Sequence, residues 1–69
     1  MMNTKFIVKL NRLGKRTAEY VQRTDRIPLR TTTDRNLALV MGKFTAEDVA
    51  KSVESARCKA EIVSVEVAA

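Results

Sequence analysis

The sequence predicts a small α+β domain: an antiparallel sheet with one helix packed on one face, in the order β-β-β-α-β. Three observations predict it. Segments with period-two alternation and many β-branched residues stand near both ends, at Phe6–Leu10 and Ala60–Val67. From Thr45 onward, Ala46, Val49, Ala50 and Val53 recur at i, i+3, i+4 and i+7, the apolar stripe of an amphipathic helix. The chain has 69 residues, enough for one domain (1–69) with one core.

In the first strand, Phe6, Val8 and Leu10 alternate with Lys5, Ile7 and Lys9, which predicts a half-buried strand. Asn11–Lys15 supplies a turn, with Gly14 as its positive-φ residue. Thr17–Gln22 is ambiguous. As a strand it closes a hairpin, with Ala18 and Tyr20 toward the core; as a helix it runs barely two turns, too short to be stable alone. The short turn before it favours the strand. A helix at Thr17–Arg23 would instead give the alternative, a ferredoxin-like β-α-β-β-α-β arrangement.

Residues 23–26 read as loop, and Pro28 makes Ile27–Leu29 an edge or irregular segment, because proline cannot donate to a ladder. Asp34 is placed to cap a single turn through Asn36 to Ala38. Leu39–Met41 resumes as a strand and Gly42 stops it. The helix is expected to be capped by Thr45, with Asp48 as the acidic member of a capping box, Glu47 and Lys51 as an i,i+4 pair, and Arg57 near its end. In the last strand, Val63, Val65 and Val67 share one face, and Ile62, Ser64 and Glu66 the other. The predicted core is Phe6, Val8, Leu10, Tyr20, Leu39, Phe44, Val49, Val53, Val63 and Val65. On the uncovered face, Ile7, Val21, Val40 and Ile62 are expected to point outward. A patch of that kind predicts a partner or homodimer interface on this face or on an edge strand.

The chain contains no His and one Cys, Cys58. Four-ligand zinc sites and intrachain disulfides are thereby excluded, and the commonest general base is missing. Cys58 reads as a packing residue. Gly14 and Gly42 are isolated, so there is no phosphate-cradling glycine loop. These features predict no enzyme activity and no cofactor. A lone thiol, no secretory signal and no long apolar run predict a cytoplasmic protein.

The formal net charge is +5 and unevenly spread. Residues 1–43 hold ten bases against three acids, or +7; residues 44–69 hold three bases against five acids, or −2. A basic lobe steers toward phosphates or acidic protein surfaces. The candidate partner-binding residues are Arg12, Lys15, Arg16, Arg23, Arg26, Arg30 and Arg35. Specific reading of single strands uses stacking aromatics. Phe6, Tyr20 and Phe44 are all assigned to the core, so phosphate contact is favoured over base readout.

The segment from Thr32 to Ala50 (TTDRNLALVMGKFTAEDVA) places a Thr–Asp turn before a short strand and an acidic-start helix, and Glu61–Val67 supplies a closing Val/Ile–Glu strand. Over residues 31–67 this resembles small phage-encoded accessory proteins, which include host-takeover factors and anti-CRISPRs. The resemblance implies a fold and a blocking role against a host nucleic-acid complex, in the host cytoplasm. It carries over no functional residue, and a basic chain departs from the acidic DNA mimicry of many anti-CRISPRs. The expected function is that of a non-enzymatic inhibitor or adaptor acting through its basic surface. A small DNA- or RNA-binding protein making phosphate contacts is the alternative.

Overall fold

A computed structural model describes residues 2–25 and 29–68. Strand β1 (Met2–Arg12) pairs antiparallel along its whole length with β4 (Cys58–Ala68), so the two ends of the sequence form the longest ladder of the sheet. Strand β2 (Glu19–Arg23) flanks β1 on its other side, and β3 (Arg30–Thr32) forms the far edge, giving the order β3-β2-β1-β4. Helix α1 (Lys43–Val53) packs against β1 and β4. Thr17–Arg23 therefore contributes a strand, and the β-β-β-α-β arrangement is the one adopted. The molecule is elongated, 40 × 22 × 18 Å.

The core lies between the sheet and α1. Val8, Leu10, Val21, Met41, Ala46 and Cys58 are buried there, with Phe6, Leu39, Val49, Ala50, Val53 and Ala60 packed around them. Burial of each large aliphatic contributes about 1.5–3 kcal/mol relative to exposure. Ala46, the one fully buried residue of α1, has, like Ala50, only a methyl side chain and lets the helix approach the sheet closely.

The third strand differs from expectation. Arg30–Thr32 forms the edge, with Thr31 and Thr32 opposite Val21 and Tyr20. Their β-branched side chains suit a strand more than the turn expected of them. Leu39–Met41 is reduced to a bridging segment. Strand β2 pairs with β1 at Lys9–Tyr20 and Leu10–Glu19. Farther along, Phe6 and Met41 exchange two backbone hydrogen bonds of 2.8 Å, and the Leu39 N–H donates to Val21 C=O at 2.9 Å. The segment thus satisfies backbone groups of both strands where their own ladder has ended. Pro28 and its neighbours Arg26 and Ile27 lie outside the described residues.

The face assignment of β4 is also reversed. Ile7 pairs with Val63, Lys5 with Val65 and Asn3 with Val67, while Val8 pairs with Ile62 and Leu10 with Ala60. Directly paired residues share a face. Val63, Val65 and Val67 therefore lie with Ile7 on the face away from α1, and Tyr20, paired with Lys9, lies there too. Ile62 belongs to the helix side, and Val21 is core instead of outward-facing. Ile7 does point outward as expected, yet its neighbours leave it only 2% exposed.

Helix α1 opens earlier than predicted. Gly42 is its N-cap, with the Ala46 N–H donating to Gly42 C=O at 2.9 Å, and no side chain caps the end. Thr45 lies inside the helix, and the first turn holds no acid. Phe44 then sits two residues, about 200°, around the helix from Ala46, and is 79% exposed instead of buried. The helix ends at Val53, so Arg57 and Cys58 lie beyond it, Arg57 in a turn and Cys58 at the start of β4. Asp34 caps the 3-10 turn Arg35–Leu37 as anticipated, accepting from the Asn36 N–H at 2.9 Å.

Candidate functional site

The β1–β2 turn forms one end of the sheet. Gly14 there has φ of +82°, a conformation that L side chains rarely adopt. The Lys15 N–H donates to Arg12 C=O at 3.1 Å, closing the turn, and the Leu13 N–H donates to Arg57 C=O at 2.8 Å. That second bond ties the hairpin tip to the tight turn entering β4, where Ser55 and Cys58 exchange backbone hydrogen bonds. Two loops far apart in sequence are thus fastened into one structure.

A shallow cleft of about 330 Å³ lies at this junction, lined by Asn11, Arg12, Leu13, Gly14, Ala56, Arg57 and Lys59. Three of these residues are basic and none is acidic. Lys15 and Arg16 follow immediately along the chain and are exposed. The tip therefore gathers Arg12, Lys15, Arg16, Arg57 and Lys59, with Leu13 standing 81% exposed among them.

Glu19 is the acid that reaches the tip. It accepts from Arg12 Nε at 2.5 Å and, on its other oxygen, from the Thr31 hydroxyl at 2.9 Å. The Thr31 hydrogen bond, outweighing partial desolvation, and then the Arg12 guanidinium and the Lys15 charge hold its carboxyl below the ordinary glutamate range. An ion pair of this partly exposed kind contributes about 0.2–1 kcal/mol. Its effect on the site is to orient Arg12 from β2, while β3 orients Glu19 in turn.

The remaining predicted residues are elsewhere. Arg23 and Arg30 are paired across β2 and β3 next to a bulge. Successive antiparallel turns alternate between the ends of a sheet, so this pair lies at the end opposite the tip, roughly 20 Å away at about 3.3 Å per residue. Arg23 is engaged bidentately by Asp25 (3.0 and 3.2 Å), which raises the arginine's pKa and lowers the carboxyl's. Arg35 is exposed on the 3-10 turn, and Arg26 lies outside the described residues. The single lobe expected from charge along the sequence is therefore split. Arg12, Lys15 and Arg16 are brought together; Arg23 and Arg30 form a separate group, and Arg35 belongs to neither strand end.

Arg57 and Lys59 were not among the predicted residues, because a count by sequence halves assigns them to the acidic part. The signal that would have found them is the pairing of the terminal strands, which sets Cys58 opposite Arg12 and Lys59 opposite Asn11. A second, smaller depression between α1 and β4 is lined by Glu47, Ala50, Lys51, Glu54 and Ile62, and carries mixed charge.

No family model, curated protein or solved structure matches this chain. Among the described residues, no helix is long and apolar enough to cross a membrane.

Proposed function

We propose that this chain is a non-enzymatic binding protein that engages phosphate groups through the basic tip of its β1–β2 hairpin. The observation that carries the reading is the gathering of Arg12, Arg57 and Lys59 around a cleft with no acidic lining, at a cross-braced end of the sheet where the exposed Lys15 and Arg16 follow along the chain. Arg and Lys on a fixed framework suit the nucleic-acid backbone, which is contacted mainly through phosphate oxygens. The aromatic side chains offer no stacking platform at the tip, so binding is expected to follow charge more than base sequence.

A second reading is favoured by Leu13. An exposed apolar side chain that shares its cleft with Arg12 and Arg57 also fits an acidic protein groove that normally holds nucleic acid, which is the inhibitory role implied by the resemblance to phage accessory proteins. Arginine is enriched among residues that dominate protein interfaces.

Filter binding with single- and double-stranded DNA and RNA at low salt separates the two, since release of counterions makes affinity greatest there. Retention that falls steeply with added salt supports direct phosphate contact. Absence of retention sinks it, and a nuclease-resistant pull-down of a host complex that is lost in Leu13→Ser would carry the inhibitory reading instead.

A further inference from the structure

The two edges of the sheet are unlike. Strand β3 is three residues long, whereas β4 presents an edge of 11 residues. The direction of the β4 backbone groups follows from two independent observations. Phe6 uses both its N–H and C=O on Met41, on the β2 side of β1, so the alternate residues Lys5, Ile7 and Lys9 direct theirs toward β4. Their partners Val65, Val63 and Glu61 face back to β1, and the even-numbered residues of β4 face outward. At the other end of the strand, Cys58 exchanges hydrogen bonds with Ser55, and the Ala60 N–H donates to Glu54 Oε2 at 3.4 Å, both on that outer edge. The polypeptide itself thus covers the edge at Cys58 and Ala60 and leaves Ile62, Ser64 and Glu66 with outward-facing groups. Among the described residues, no proline or bulge, two of the devices that blunt edge strands, interrupts residues 61–67, whose charged residues are Glu61 and Glu66.

We propose that β4 pairs antiparallel with β4 of a second copy of this chain, about a two-fold axis at Val65. The side chains select the occupant and the register. Outward-facing residues must meet outward-facing residues, so the axis can lie only on a residue, with each choice setting different neighbours opposite. With Val65 on the axis, Ser64 stands opposite Glu66 of the second copy, a hydroxyl beside a carboxylate. Val63 stands opposite Val67 of the second copy, and Val65 opposite its own equivalent. Moving the axis to Ser64 sets Glu66 against Ile62 and Glu61 against Val67, and moving it to Val63 sets Glu61 against Val65. The Val65 register alone sets all three outer-face valines of each copy opposite valines of the other, forming one apolar row continuous with the buried Ile7 of each. The product is a single sheet of twice the width, closed by its own symmetry. It carries the two hairpin tips at opposite extremes, roughly 45 Å apart along the strand direction at about 3.3 Å per residue.

Sedimentation equilibrium combined with a cysteine scan tests the pairing. The wild-type chain should sediment at twice its chain mass at about 100 μM. Ser64→Pro, which removes an outward N–H without touching the β1 ladder, should sediment as a monomer with unchanged circular dichroism. Val65→Cys should form a disulfide-linked dimer under mild oxidation, because two residues on the axis in a non-hydrogen-bonded pair have Cα atoms about 4.5 Å apart. Val63→Cys and the wild type with its buried Cys58 should not. A wild-type monomer at every concentration overturns the proposal. So does a dimer that survives Ser64→Pro, or one in which Val63→Cys cross-links as readily as Val65→Cys. If Ser64→Pro unfolds, the cross-linking contrast alone decides.

Discussion

The two ends of the sheet both carry arginines, but they hold them differently. At the hairpin tip, Arg12 is fixed by Glu19, which Thr31 fixes from the next strand; the tip backbone is bonded to Arg57, and Leu10 and Cys58 pack directly beneath. At the far end, Arg23 is held by Asp25, two residues along its own chain and exposed like it. One end is built on the core and braced from three strands, while the other rests on a local, solvated ion pair. A positive charge becomes part of a recognition surface when its framework is rigid and further cations stand beside it, as Arg57 and Lys59 stand beside Arg12 along the cleft. Charge alone does not distinguish the two ends.

The contrast is most easily broken from below. Leu10→Ala removes the large side chain under the tip and is expected to destabilise the fold by about 2–5 kcal/mol, read as a lowered urea midpoint. Reversing charge at the tip with Lys15→Glu and Arg57→Glu should weaken nucleic-acid retention on the order of a hundredfold and flatten its salt dependence, while Arg30→Glu at the far end should change little. Gly14→Ala should cost roughly 1–2 kcal/mol, from the positive φ alone, since a Cβ there would meet no atom within 4 Å.

Smaller still is the effect of acid. Because the Glu19 carboxyl is held below its ordinary value, the stability it supplies is complete above the unfolded glutamate pKa of about 4.3. It is lost as pH falls through the lower, folded value. Glu19→Gln should therefore flatten the decline in stability below about pH 4.5, followed by circular dichroism. Asp25→Asn should leave thermal melting unchanged, because its partner is exposed and screened.

The elements were legible where the signal is local. Phe6–Leu10 alternates within five residues, and the α1 stripe repeats within eight, so each identifies itself without reference to the rest of the chain. The parity of β4 was not legible. Ile62, Ser64 and Glu66 alternate with three valines, and hydrophobicity favours burying the valines; their actual face is set by the register against β1, more than fifty residues away. The same long-range pairing hid Arg57 and Lys59 from a reading that counted charge along the sequence. Arg12, Lys15 and Arg16 were legible as a cluster because one turn holds all three. Arg23 and Arg30 were wrongly joined to them because successive hairpins turn at opposite ends, which a linear charge profile cannot register.

The pairing of β1 with β4 also has a kinetic consequence. Contacts between residues so distant in sequence raise contact order, and domains dominated by such contacts fold in milliseconds to seconds, not microseconds. During synthesis, β1 emerges first and must wait for Cys58–Ala68 before its longest edge is satisfied. Until then its buried-to-be row of Val8 and Leu10 stands open to solvent. The nascent chain is thus most vulnerable to capture by a chaperone or by another unfinished copy in the interval before Cys58–Ala68 is available to pair.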